Sequence, residues 1–148
     1  MSTNAVTIIA STKVRIASVL TSAYVELAYS NNIAKNSFSG NFKRYGLVAG
    51  NTTEVDSVTR YSTIDQEFEL ILIDSFINTA MSDSAETAKG PILQDLAFDI
   101  YRDLLATKAG SPSTVIHVLN FSTSKPETIE DKAVVVRASF TIRYRNQI

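Results

Sequence analysis

One stretch decides the fold class: Ala133–Arg145, with the sequence AVVVRASFTIRYR. Its even-numbered positions are apolar or aromatic, whereas the odd-numbered ones include Arg137, Arg143 and Arg145. Alternation with a period of two is typical of a β-strand that buries one face. It also specifies register, because a slip by one residue would turn the apolar set toward water. We therefore predict a strand with one face on the core and a basic opposite face.

A second strand is predicted over Gln66–Asn78, and its character changes along its length. Positions 68, 70, 72 and 76 are apolar, while the other parity begins with Glu67 and Glu69 and continues with Ile71 and Ile73. A strand that becomes apolar on both faces is typical of one that is covered on both sides. The second cover could come from a helix or from another subunit.

Shorter strands are predicted on either side of these two. We expect strands at Phe42–Ala49 and Val55–Tyr61, joined by a turn at Gly50–Thr53, where Gly and Asn favour turn geometry. Ser113–Phe121 is rich in β-branched residues and predicts the strand that precedes the last one.

The first helix is predicted to begin at a Ser11 or Thr12 cap and to end by Ser30. Its apolar residues recur at spacings of three and four, which gives one buried stripe. The preceding Val6–Ala10 segment predicts a short strand or arm.

The second helix is predicted over about Glu86–Lys108, with Pro91 in the first turn of its main run. Gly110 and Pro112 follow it and are typical of a helix end. Its predicted buried stripe consists of Ile92, Leu93, Leu96, Ala97, Ile100, Tyr101, Leu104 and Leu105.

The predicted element order is α-β-β-α-β-β, which favours the α+β class. We expect a mostly antiparallel sheet of about four to five strands packed with two main helices. No linker or repeat divides the 148 residues, so we predict one α+β domain over residues 1–148.

Composition excludes several classes of function. The chain has no cysteine and one histidine, which excludes disulfides, thiolate metal sites and multi-histidine metal sites. The net charge of −1 argues against a broadly basic nucleic-acid binder. No apolar run approaches the about 20 residues of a membrane span, and no secretory signal is visible. We therefore expect no cofactor, no metal, no membrane partner and no enzymatic activity.

The single histidine, His117, lies in the apolar context Val-Ile-His-Val-Leu. A catalytic base would need an orienting acid and a nucleophile within hydrogen-bond reach, and no Gly-x-Ser-x-Gly motif is present. We therefore interpret His117 as a packed or interface residue.

Charge is distributed unevenly between the last strand and the stretch 54–74. That stretch carries six acidic residues against one arginine, whereas residues 133–148 carry three arginines and no acid. Neighbouring strands could pair these charges within the sheet. Alternatively, a basic face of one subunit could meet an acidic face of the next. A third reading, nucleic acid nearby, is weak because the arginines lack an aromatic stacking platform.

The C-terminal half also resembles a known family. The helix Leu93–Lys108 (LQDLAFDIYRDLLATK) is followed by a Gly-Ser-Pro turn, the strand TVIHVLNF and the closing VVVRASFTIRYR. A small α+β protein that ends in such a strand resembles the tail terminator and neck proteins of tailed bacteriophages. The similarity covers residues 66–148. That family has no catalytic residues to transfer.

The resemblance implies a structural role in the virion. Such proteins assemble into a ring, usually of six subunits, that caps the head-proximal end of the tail tube. The implied partners are further copies of the chain, the tail tube protein, the neck or connector proteins and, in contractile tails, the sheath protein. DNA would pass through the lumen without sequence-specific binding. The ring would be assembled in the host cytoplasm.

A ring needs two complementary faces on each subunit. The residues predicted for the subunit or partner interface are Arg137, Arg143, Arg145, Glu67, Glu69, Ile71 and Ile73. The sequence shows no long hydrophobic hairpin of the kind a tube protein inserts into its neighbours, which favours a terminator. A head-completion protein, a tail-tube protein and a small-ligand or peptide-binding module remain the alternatives.

Overall fold

A computed structural model describes residues 4–36, 42–58, 60–75, 83–129 and 133–147. The predicted α+β class is confirmed: two helices pack on a mostly antiparallel sheet, which has six strands within the described residues. The predicted strand end at residues 76–78 lies outside them.

The helices are α1 (Asn4–Leu20) and α2 (Asp83–Thr107). The long strands are β2 (Lys43–Val58), β3 (Tyr61–Ser75), β4 (Val115–Thr123) and β6 (Ala133–Gln147). Two short strands, β1 (Val25–Glu26) and β5 (Glu127–Ile129), complete the described sheet. The strand order is β1-β2-β3-β6-β4, with β5 paired to β6 beyond the end of β4.

The centre of the sheet is the antiparallel pair β3–β6. Their register runs without a shift from Tyr61 opposite Gln147 to Ser75 opposite Ala133. Phe68 and Phe140 stack face to face, with ring centroids 5.4 Å apart. The alternation in the last strand is confirmed, because positions 134, 136, 138, 140, 142 and 144 are all buried.

Both helices cover the same face of this sheet. Ile8, Ile16 and Leu20 of α1 and Leu93, Ala97, Ile100 and Leu104 of α2 are buried in one cluster with the even-numbered residues of the central strands. The predicted stripe of the second helix is confirmed except at Ile92, which is 62% exposed. Arg15 of α1 and Asp103 of α2 join the two helices through a bidentate ion pair at 2.6 and 3.0 Å.

The first helix begins earlier and ends earlier than predicted. Val6–Ala10 is helical, so the predicted strand or arm is wrong. Thr12 is no cap, because its hydroxyl donates to the carbonyl of Ile8, 2.7 Å away, inside the helix. Thr21 adopts a φ of 60° directly after the helix, a left-handed conformation that ends it well before Ser30.

The expectation about membrane-length segments also needs correction. By length and composition alone, Ala5–Ala23 is long enough and apolar enough to cross a membrane. A helix that packs in the core of a protein can have the same length and composition, and the buried face of α1 does pack in the core.

The second helix starts at Asp83, three residues before the predicted start. Pro91 therefore lies inside the helix and not in its first turn. The predicted end is confirmed, since Gly110 has a φ of 75°, which glycine adopts without a steric penalty.

The predicted turn at Gly50–Thr53 is wrong. β2 continues through it with a register shift between Ala49 and Thr52, which is a β-bulge. The side-chain amide of Gln66 donates to the carbonyl of Gly50 at 3.0 Å and so satisfies a backbone group that the bulge displaces. The chain reverses instead between Val58 and Tyr61, which are paired across the hairpin.

Candidate functional site: the charged face of the sheet

The sheet face opposite the helices contains the predicted interface residues, and it has two zones. One end is apolar. It is formed by a second buried cluster of Leu27, Phe42, Ile71, Ile73, Ala133 and Val135. The other end carries the charged residues of β3 and β6 and is open to solvent over much of its area.

The apolar zone corrects part of the predicted interface. Ile71 is 1% exposed and Ile73 is 0% exposed within this one chain. They pack with Leu27, just after β1, and with Phe42, just before β2. Local segments of the chain therefore supply the second cover. We withdraw Ile71 and Ile73 as interface residues, because a second subunit could reach them only by opening this cluster.

The strongest charge pair in the charged zone is Arg143–Asp65. The two residues are directly opposite in the β3–β6 register. The guanidinium donates from Nε and Nη2 to the two carboxylate oxygens at 2.8 and 3.0 Å. The hydrogen bond to Asp65 raises the pKa of Arg143 above its ordinary value. A bidentate pair of this kind fixes geometry as well as charge.

Arg137 forms the second pair, with Glu69 at 2.9 Å. In the register Arg137 stands opposite Ile71, so Glu69 is its diagonal neighbour on the same face. The reading in which strands pair charges within the sheet is thus confirmed for both arginines. Their guanidinium groups are already neutralised inside the chain and offer little net charge to a partner.

Arg145 and Glu67 occupy different surroundings. The Arg145 guanidinium lies 5.2 Å from the centre of the Tyr61 ring, near the end of the hairpin, in cation–π geometry. Glu67 is exposed, stands opposite Thr141 and makes no ion pair with any described residue. The structure places Arg137, Arg143, Glu67 and Glu69 on one charged face, with Arg145 farther along β6.

His117 is exposed on β4, opposite Arg143 of β6. Its interpretation as a packed residue is therefore wrong, while a role in an interface stays a prediction. Within the described ranges, no group of three or more histidine and acidic side chains is arranged to hold a metal ion.

An open concavity of about 500 Å³ crosses the charged zone from β2 to β4. Its lining includes Val48, Gly50, Glu67, Asn120 and Thr141. Small-molecule sites are usually enclosed and mainly apolar. This concavity is open and partly polar, and it lacks the usual features of a ligand pocket.

Asp65 is the residue of the charged zone that sequence reasoning failed to single out. It is one of six acids in the stretch 54–74, and composition alone does not distinguish it from the others. The information needed was the register that puts Asp65 opposite Arg143. That register is a long-range property, and it follows from the alternation only once the two strands are known to be neighbours.

Comparison with known proteins adds no family assignment: no family model matches the chain, and no curated protein matches it.

Proposed function

We propose that this chain is a structural assembly protein of the tail terminator class. In this role it forms a ring that caps the head-proximal end of a tail tube and joins the tail to the neck. The observation that carries the proposal is that, within the described residues, no strand pairs with the outer side of β4 or with the outer side of most of β2. An open edge presents unpaired backbone groups to another chain, and two different open edges suit a head-to-tail ring.

The first open edge is the distal part of β2. β1 pairs with β2 only at Arg44 and Tyr45, followed by one further bond from the Leu27 amide to the Tyr45 carbonyl. On the side of β2 that faces away from β3, no described strand pairs with residues 47–58. Residues 49–58 are exposed throughout, including Val55 and Val58 at 46% each.

The second open edge is β4. Among the described residues it pairs with β6 alone, so its outer side carries no strand. Ile116 and His117 are exposed there. Because β2 and β4 are the outer long strands of one sheet, a contact between them would join different surfaces of two copies, as a ring requires.

Bulges interrupt both edges. β2 has register shifts between Ala49 and Thr52 and between Glu54 and Asp56, and β4 has two more along its length. Bulges break an edge into short segments and discourage indiscriminate pairing. This favours a contact of limited length in one register, which suits a closed ring better than an unlimited aggregate.

A second candidate within the same class is a tail-tube or neck adaptor protein. The sequence predicts no long hydrophobic hairpin. The structure does contain a long hairpin, because β2 and β3 have 16 and 15 residues. Its outer part is mainly polar, with Thr52, Thr53, Glu54 and Asp56 beside the apolar side chains. That composition keeps the terminator as our first choice.

The proposal includes the partners expected from the resemblance. These are further copies of the chain, in a ring that is most often a hexamer, together with the tail tube and the neck or connector proteins. Sheath protein would be added in contractile tails. DNA would cross the lumen without being read. The protein would assemble in the host cytoplasm and stay in the virion.

The test is electron microscopy of particles made when this gene alone is disrupted, with complementation by the intact gene as the control. We expect tail tubes of irregular, excessive length. Tails of normal length that fail to join heads would assign the neck role instead. Normal infectious particles would overturn the assembly proposal.

A further inference from the structure

Two clusters of charged side chains that make no ion pair with a described residue lie on different parts of the molecule. We propose that the contact between copies joins these two sides. One, the basic side, surrounds β1 and the start of β2. The other, the acidic side, is the outward surface of α2. This inference rests on the proposed function, because it names the surfaces through which the ring would close.

The basic side is built from three cations, each placed over an aromatic ring. The ring-centroid distances are 5.6, 5.6 and 5.8 Å for the pairs Lys35–Tyr29, Lys43–Tyr24 and Arg44–Phe42. None of these cations makes an ion pair with a described residue. Lys35 and Lys43 are exposed, and Val25 beside them is an exposed apolar residue. Positive charge that is held in place beside apolar surface suits an acidic protein partner.

The acidic side shows the complementary composition. Asp95 and Asp99 are one helical turn apart on α2, both exposed, and neither is paired with a described cation. Ile92 and Phe98 are exposed beside them. Arg102 lies over the Phe98 ring at 5.7 Å, so this side carries one cation next to its two carboxylates.

Four other cations of the helices and the sheet are paired within the chain. Lys13 pairs with Glu26 at 3.1 Å, and Arg15 pairs with Asp103. Arg137 and Arg143 are paired across the sheet, as described above. The subunit contact that the sequence assigned to the last strand therefore fits better on the two sides that keep unpaired charge.

The positions of the two sides make the contact head-to-tail. β1 begins the strand order, whereas α2 packs on β6 and β4 toward the other end. Two different surfaces at opposite ends of a subunit repeat by rotation and close into a ring. The basic side adjoins the start of β2, whose outer part forms one of the two open edges. The occupant to which we commit is a second copy of this chain.

Charge reversal on one side at a time tests the contact. K43E/R44E makes both sides acidic, and D95K/D99K makes both sides basic. Each variant alone should require a concentration on the order of 100-fold higher than wild type for half-assembly, because like charges then face each other. Assembly is measured by light scattering after size exclusion, and circular dichroism checks that each variant is folded.

The decisive step is to mix the two variants in equal amounts. Every contact in an alternating ring would again join opposite charges, so we expect the mixture to assemble near the wild-type concentration. K108E/K125E, which changes the net charge as much as K43E/R44E does without touching the basic side, should assemble like wild type.

The outcomes separate the two proposals. If wild type assembles but both variants assemble equally well, or if their mixture stays monomeric, the surfaces are wrong and the ring proposal stands. If wild type remains monomeric at every concentration and also fails to cap tubes, the inference and the proposed function both fall.

Discussion

The central strands and the outer strands of this sheet differ in almost every physical respect. β3 and β6 pair without a shift over their whole length, bury one face under the helices and hold Arg137 and Arg143 in ion pairs on the other face. β2 and β4 are bulged, exposed along much of their length and open on their outer sides within the described residues. The comparison suggests that stability resides in the centre and recognition in the periphery.

This division follows from elementary requirements. Central strands satisfy backbone groups on both sides and bury large side chains, which gives most of the favourable free energy of folding. Outer strands leave backbone groups for solvent or for another chain. A protein that must assemble needs such groups, and bulges on each edge limit what can pair with them.

The largest expected effect comes from truncation in the centre. Phe140→Ala removes a stacked, buried ring and should lower the free energy of unfolding by about 3–5 kcal/mol. The control, Val55→Ala on the exposed hairpin, should change it by less than about 0.5 kcal/mol. Urea denaturation measures both. Equal losses in the two variants would show that the hairpin is as important to the fold as the centre.

The next effect concerns the charge pairs of the central strands. Asp65→Asn keeps the shape of the side chain but loses the charge-assisted bidentate pair, and it should cost about 1 kcal/mol. Glu69→Gln removes a single-contact pair between more exposed groups and should cost about 0.5 kcal/mol or less.

A double-mutant cycle for each pair, with R143Q and R137Q as the second substitutions, isolates the coupling free energy, because glutamine removes the positive charge. We expect stronger coupling at Asp65 than at Glu69, and added salt should weaken the Glu69 coupling more. A coupling free energy near zero for Asp65 and Arg143 would mean that water stabilises the two charged groups as well as their ion pair does.

The last effect appears only at high pH and concerns Tyr24, beside Lys43. Burial, reinforced by the charge of Asp74, raises the pKa of Tyr24 from the ordinary 10.0 to about 12. The unfolded chain therefore loses the Tyr24 proton at a lower pH than the folded chain does. The contribution of Tyr24 to the free energy of unfolding is complete below pH 10 and is lost as the pH rises toward 12. Tyr24→Phe should flatten the fall in the urea midpoint between pH 10 and 12, whereas the exposed Tyr29→Phe should leave it unchanged. An identical fall in Tyr24→Phe would remove Tyr24 as its source.

Sequence reasoning succeeded where one local pattern dominates. The alternation of Ala133–Arg145 predicted the last strand and its buried parity, and the apolar spacing of the second helix predicted its packed face. Both patterns indicate burial directly, because apolar residues occupy the buried face of a strand or helix and polar residues occupy the exposed face.

It failed where tertiary context decides. Gly50–Asn51 has turn chemistry, yet the pairing of β2 with β3 carries the chain through it as a bulge. Ile71 and Ile73 look like a surface for another subunit until Leu27 and Phe42 are seen to cover them. For Arg137 and Arg143 the sequence left open whether they pair within the sheet or with another subunit, and the register places carboxylates of the same chain beside them. Each of these features depends on contacts between residues far apart in the chain.

Hydrogen exchange at increasing protein concentration shows whether the outer strands carry the assembly contact. We expect the amides of residues 52–58 and 115–123 to exchange more slowly as copies associate, while those of β3 and β6 stay equally protected throughout. Protection that is independent of concentration along β2 and β4, or that rises elsewhere alone, would contradict this expectation.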